Sequence, residues 1–479
     1  MTAMAESERQ PHPPAALEAT GRRIGIIGAG FTGALLAVHL IRQCRTPTQV
    51  LLFDRTGRFG PGLAYRTDDR GHLLNVRAAN MSAFPDQPDH FLRWLDPLDP
   101  GANAAGATGQ AFATRSQYGR YLQDILETAR REAPPFVHFE PVFADITDLE
   151  PEGPGHRLIA ADGSGYRVDD VVLCLGNFPP RPPAIANTGF FDDPRHYLSN
   201  PWDNAAIEAI PPDRPVLILG SGLTMVDVVM TLTRMGHRTP LVVLSRHGLL
   251  PTVHRASAPW PDFIAGTELP ATVSGLFLLV RAQVRQAARH GGDWRSVIDS
   301  LRPHLPALWR GLPLSERQRF LRRLRPYWDV HRHRTAPEIA GTIARLWERE
   351  MLRLVTGRLL DLERKDGATL ATIRPRGADS DVTLTTDVVI NATGLATDIL
   401  SVPDALIRNL LARGLVRPDP LAIGLDVCDQ CGLIDRAGQS VPNLYALGPL
   451  TRGAWWEITA VPELRNQAAQ FARHLAGRY

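Results

Sequence analysis

Lysine is almost missing: of 53 basic residues only Lys365 is a lysine. No Gly-Lys-Ser/Thr phosphate loop can exist in such a chain, which excludes P-loop nucleotide hydrolysis. Schiff-base chemistry on pyridoxal phosphate would rest on Lys365 alone, and that residue lies in a polar Arg-Lys-Asp-Gly turn. Four cysteines in 479 residues make no disulfide framework and point to a reducing, cytoplasmic setting. Cys428 and Cys431 form a C-x-x-C, but no second pair completes a zinc site, and the surrounding pattern is strand and turn. No metal is expected. Nor does any apolar run approach the roughly 18 residues that a membrane span needs. The net charge of +3 argues for neither nucleic acid nor a membrane surface as partner.

The sequence does carry two glycine turns. Ile24 to Ile27 reads as a buried strand, followed by Gly28, Gly30 and Gly33 in G-x-G-x-x-G spacing and a helix from Phe31 to Gln43. In this pattern the first glycine makes the tight turn, the second lets a pyrophosphate approach the backbone, and the third allows close helix–strand packing. The N–H groups at Phe31, Thr32 and Gly33 then face an anion. Asp54 ends the next strand, 21 residues past Gly33, placed to hydrogen-bond an unphosphorylated ribose as in FAD or NAD. Arg22 and Arg23 before an apolar stretch imitate a twin-arginine export signal, but nucleotide-binding glycines have no place in one.

Gly220 and Gly222 follow the strand Val216 to Leu219 and open a helix with Leu223 and Thr224, while Met225 replaces the third glycine. The next strand ends in Ser245-Arg246-His247 rather than an acid, so Arg246 favours the 2′-phosphate of NADPH. Two dinucleotide sites in one chain imply a flavin, FAD, reduced by a nicotinamide.

Asp387 to Leu395 contains Ala392-Thr393-Gly394 after a strand and resembles the signature of class B flavin monooxygenases, with Asn391 where Leu or Phe is usual. The Baeyer–Villiger fingerprint is not intact. Gly60 to Tyr65, Leu74 to Pro85, Gly222 to Asp227 and Gly448 to Ile458 together resemble the FAD/NAD(P)-binding flavoprotein family of bacterial urate hydroxylases and nitrosuccinate-forming aspartate N-monooxygenases. That resemblance implies that Gly448 closes the flavin site and that Trp456 and Glu457, near the isoalloxazine, are substrate candidates. It also implies NADPH reducing FAD, with O₂ then oxygenating a small anionic nitrogenous substrate through a flavin hydroperoxide. A reductase passing electrons to a disulfide or protein partner is the alternative.

Residues 281–334 hold 13 arginines against four acids and end in His331-Arg332-His333-Arg334, which makes these four candidates for holding an anionic substrate. The expected class is α/β: two Rossmann-like dinucleotide-binding domains with a mostly helical insertion. The expected divisions are a disordered tail at 1–21, an FAD domain at 22–204 resumed at 381–479, and an NADPH domain at 205–380 with the insertion at 270–352.

Overall fold

The computed structural model describes residues 21–96, 111–396 and 398–478. The expected tail therefore lies outside the described residues, Gly21 excepted. Two α/β layers are built, each around a glycine turn. The first sheet has six strands in the order Gly432–Ile434, Ser440–Ala446, Asp170–Leu173, Arg22–Ile27, Thr48–Asp54, Val137–Phe143. All of its pairs are parallel except the one at the Gly432–Ile434 edge. Its central strands read as unbroken apolar runs because both faces are covered. Helices Phe31–Gln43 and Val461–Ala476 pack on one face. The other face is closed by the helix Ala405–Arg413 and a three-stranded antiparallel sheet, Ile146–Glu152, Gly155–Ala160 and Gly165–Val168.

The second sheet has seven strands, in the order Val382–Thr386, Ala368–Pro375, Leu352–Lys365, Leu241–Ser245, Val216–Leu219, Val388–Asn391, Tyr197–Leu198. This moves the expected boundaries. Val382–Thr386 and Val388–Asn391 had been assigned to the resumed flavin domain, and Tyr197–Leu198 to its first part. Val388–Asn391 instead pairs in parallel with Val216–Leu219, and Tyr197–Leu198 pairs with it in turn. The second layer thus runs from about residue 197 to residue 391.

The insertion occupies the crossover between the parallel strands Leu241–Ser245 and Leu352–Lys365. It contains the helices Val273–Arg289, Trp294–Ser300, Leu305–Gly311, Leu314–Arg323 and Arg325–Arg332. A last helix, Pro337–Glu348, packs through Ile339 onto the core beneath the second sheet. Among the described residues no helix is long and apolar enough to cross a membrane.

The layers are joined by polar contacts. Arg115 pairs with Asp227 at 2.8 Å, and the buried His72 lies 2.9 Å from Thr231 Oγ1, whose hydroxyl donates to Asp69.

Candidate active site

The two glycine turns have the same construction. Gly28 and Gly220 sit at φ of +102° and +100°, a conformation that favours glycine. A β-carbon at Gly28 would overlap the carbonyl oxygen of Cys174, and one at Gly220 would overlap that of Ala392. Gly28 N–H donates to Phe53 at 2.9 Å and Gly220 N–H to Leu244 at 2.8 Å. Each turn thus locks its strand to the strands on both sides. Cys174-Leu175-Gly176 and Ala392-Thr393-Gly394 are accordingly equivalent segments, and the Ala-Thr-Gly signature serves the second turn. The unusual Asn391 is fully buried there. Its amide donates to the Arg181 carbonyl and Tyr197 hydroxyl, and its oxygen accepts from Thr393.

Gly33 has a packing reason as well, since a β-carbon there would strike the Gly28 carbonyl. Gly30 and Gly222 have no such reason. A β-carbon at Gly30 meets only the Cα of Gly62, at 3.4 Å, and one at Gly222 meets nothing within 4 Å. Both begin helices with extended backbone at the N-cap and no side chain capping the first turn. Uncapped N–H groups beside glycines that have room to spare are what a dinucleotide pyrophosphate requires, so the residues fit the cofactors.

Both turns open into one cavity of about 760 Å³. Asp54 lines it, accepting from Thr56 N–H and hydroxyl at 2.7 and 2.6 Å and from Ala29 N–H at 3.3 Å. Phe31 and Thr32 line it at the first helix start, and Leu223 and Thr224 at the second. Gly448, at φ +71°, packs against Thr32, and its N–H donates to Gln467 at 2.8 Å.

Between the turns the cavity is lined by Arg325, Asp329, His333, Arg452, Trp456 and Glu457. Glu457 is buried at a strained φ of +71°. Burial would raise its carboxyl, but His333 at 3.6 Å, Arg332 at 3.3 Å and the Trp328 N–H donated at 2.7 Å bring it down to about 2. Arg452 donates to Asn177 at 2.8 Å; burial, with Arg325 nearby, lowers its guanidinium to about 10. It still carries its charge at neutral pH. Burial raises the Asp329 carboxyl.

Residues 25–178 match the model of a family described as FAD-NAD(P)-binding. This segment, with its glycine turn, is similar to that family. Among curated proteins, an L-aspartate N-monooxygenase (nitrosuccinate-forming) from Streptomyces davaonensis is 28% identical over 252 residues, 43% of this chain and 38% of that one. A salicylate hydroxylase from Sarocladium schorii is 30% identical over 178 residues, 32% of this chain and 35% of that one. The matches therefore span little more than a third of these relatives' length. Among solved structures, an ornithine N-hydroxylase from Kutzneria sp. 744, with reduced FAD, NADP⁺ and L-ornithine, superimposes with a TM-score of 0.62 at 16% identity. That superposition covers 96% of this chain and all of the other. The shared fold is that of two Rossmann-like domains.

The remaining candidates are dispersed. Arg246 is exposed and lies outside the cavity lining. Arg332 is buried behind Glu457 rather than in the cavity wall. His331 faces away, stacked edge-on against Trp294. Arg334 is also outside the cavity: it grips Asp299 with two bonds of 3.0 Å. Of the 13 insertion arginines, Arg325 is the one that lines the cavity. Seven others, Arg281, Arg285, Arg289, Arg310, Arg319, Arg322 and Arg323, are exposed. Arg334→Ala should accordingly lower the melting temperature by several degrees and leave KM values near wild type, which melting curves beside steady-state kinetics will show.

Arg452 and Asn177 were not among the candidates. Gly176-Asn177 closes a readable strand, but a single arginine among so many gives no local signal.

Proposed function

We propose that this protein is an FAD-dependent, NADPH-driven monooxygenase that oxygenates an anionic, nitrogen-bearing substrate, with N-hydroxylation of an amino acid as its leading form. The observation that carries this reading is the single cavity that both glycine turns enter, lined between them by Arg325, His333 and Arg452. The N-hydroxylating relatives support it. When bound, FAD would take hydride from the nicotinamide and activate O₂.

The chain itself positions and polarises. Gly30 and the helix start at Phe31 and Thr32 would hold the FAD pyrophosphate, Asp54 its ribose, and Gly448 the flavin end. Gly222, Leu223 and Thr224 would hold NADPH, with Arg246 on the 2′-phosphate. Arg325 and Arg452 attract a carboxylate and disfavour an ammonium beside them, so a substrate amine is kept neutral and nucleophilic. Asp329 lies 3.4 Å from Arg325 in the same wall and holds that guanidinium in place.

A disulfide reductase would need a reactive dithiol. Burial pushes the Cys431 thiol up to about 12, and Cys428 and Cys431 form a tight turn rather than a helix start.

The reading is tested by following NADPH oxidation and O₂ uptake by the FAD-loaded protein against acidic and other amino acids and urate. Substrate-dependent O₂ uptake with a hydroxylamine product supports it. NADPH oxidation accelerated only by disulfides would replace it with the reductase. Arg246→Ala should raise the KM for NADPH about 10- to 100-fold and leave that for NADH unchanged. Equal effects on both nucleotides would remove Arg246 from the site.

A further inference from the structure

The helical insertion forms a second hollow of about 440 Å³, open to solvent along Phe277 and Tyr327. Only two of its lining residues, Arg281 and His331, are of charged type; the rest are almost entirely aliphatic and aromatic. An exposed apolar patch of this extent marks a surface that takes an apolar partner or ligand. Leu276 and Val280, on the face of Val273–Arg289 that lines the hollow, are half-exposed.

One helix separates this hollow from the dinucleotide cavity. On Arg325–Arg332, Tyr327, Trp328 and His331 line the apolar side, while Arg325 and Asp329 line the polar side. That division follows helical spacing, with 325 and 329 on one face and 327, 328 and 331 on another. Trp456 belongs to the walls of both cavities, stacked on Trp309 with ring centres 4.8 Å apart. Its indole N–H is buried and has no hydrogen-bond partner among the described residues. Of the residues that line either cavity Trp456 alone lines both, so a molecule lying across the two passes its ring.

We propose that the apolar hollow holds the hydrocarbon part of the substrate, which passes the Trp456 ring and places its polar, nitrogen-bearing end beside Arg325 and Arg452. The substrate class is then an amino acid with a medium-length alkyl or extended aromatic side chain. This assignment rests on the monooxygenase reading for the fate of the polar end, but the pocket's affinity for hydrocarbon does not. The space suits a drug-sized apolar group.

The experiment measures binding of unbranched 2-amino acids of four, eight and twelve carbons to the FAD-loaded protein. The readout is tryptophan emission, since Trp294, Trp309, Trp328 and Trp456 all line the pocket. Affinity should rise about three- to fourfold with each added methylene. Val280→Phe, which fills the hollow from its half-exposed edge, should flatten that slope, with FAD content and melting temperature confirming the fold. A Kd indifferent to chain length, or a slope unchanged in Val280→Phe, overturns the proposal. A dimer seen by sedimentation that Val280→Phe dissolves, without a chain-length slope, assigns the hollow to a second copy and also overturns it. A slope without substrate-dependent O₂ uptake keeps the pocket and removes the monooxygenase reading. Uptake driven equally by short and long chains does the reverse.

Discussion

Gly30→Val is expected to yield a folded protein that retains no FAD. A side chain at Gly30 meets only the Gly62 backbone, at 3.4 Å, and otherwise points into the cavity where the pyrophosphate would come closest. The fold can therefore accommodate it while the cofactor cannot. A loss of at least about 100-fold in FAD affinity corresponds to roughly 2.8 kcal/mol, comparable to displacing a few charge-assisted hydrogen bonds. Absorbance at flavin wavelengths measures retention, and circular dichroism measures the fold. Gly33→Val is the control with the opposite signature, because its β-carbon strikes the Gly28 carbonyl and the turn itself must give way. A fully yellow Gly30→Val protein would remove FAD from the first turn.

The second large effect concerns Glu457. Glu457→Gln removes the nearer carboxylate of buried Arg332, at 3.3 Å, and leaves it only Glu463 at 3.8 Å; breaking a buried pair costs up to about 3–5 kcal/mol. The same group sets an acid limit. Its carboxyl stands near 2 in the folded protein against an ordinary value of 4.5, so folding favours the ionised form. Stability from this group is fully present above about pH 4.5 and is lost as pH falls through about 2, on the order of 3 kcal/mol in all. Urea midpoints measured from pH 6 down to 3 should fall in the wild type, and this component of the fall should be missing in Glu457→Gln. Parallel curves for the two proteins would show that Glu457 is not held as a buried anion.

Much of the frame was legible because its signals are local. The strand Val216–Leu219, the helix Phe31–Gln43 and the strand Leu241–Ser245 coincide with the runs that the sequence shows. Backbone geometry explains the glycine turns: Gly28, Gly33 and Gly220 have no room for a side chain. The hairpin Leu352–Lys365 and Ala368–Pro375 was not read, because its half-exposed strands carry charges and a bulge between Leu359 and Asp361 breaks their alternation. Likewise, Ala-Thr-Gly was assigned to the wrong sheet. A buried parallel strand has the same apolar run in either domain, and only its pairing with Val216–Leu219 tells them apart. The arginines misled for a different reason. Density of charge along the chain says nothing of direction, and Arg334 spends its guanidinium on Asp299 while the isolated Arg452 lines the cavity.

The order of strands also fixes an order of assembly. The second sheet has all its strands once Asn391 has been made, whereas Asp170–Leu173 in the first sheet waits for Ser440–Ala446 as its neighbour. On the ribosome, domains fold as their residues emerge, so the second layer can close while the first still lacks an interior strand and the Gly448 turn. A chain interrupted between those two points would leave the second layer complete beside an unfinished first sheet, whose open Asp170–Leu173 edge is exposed to the quality-control machinery.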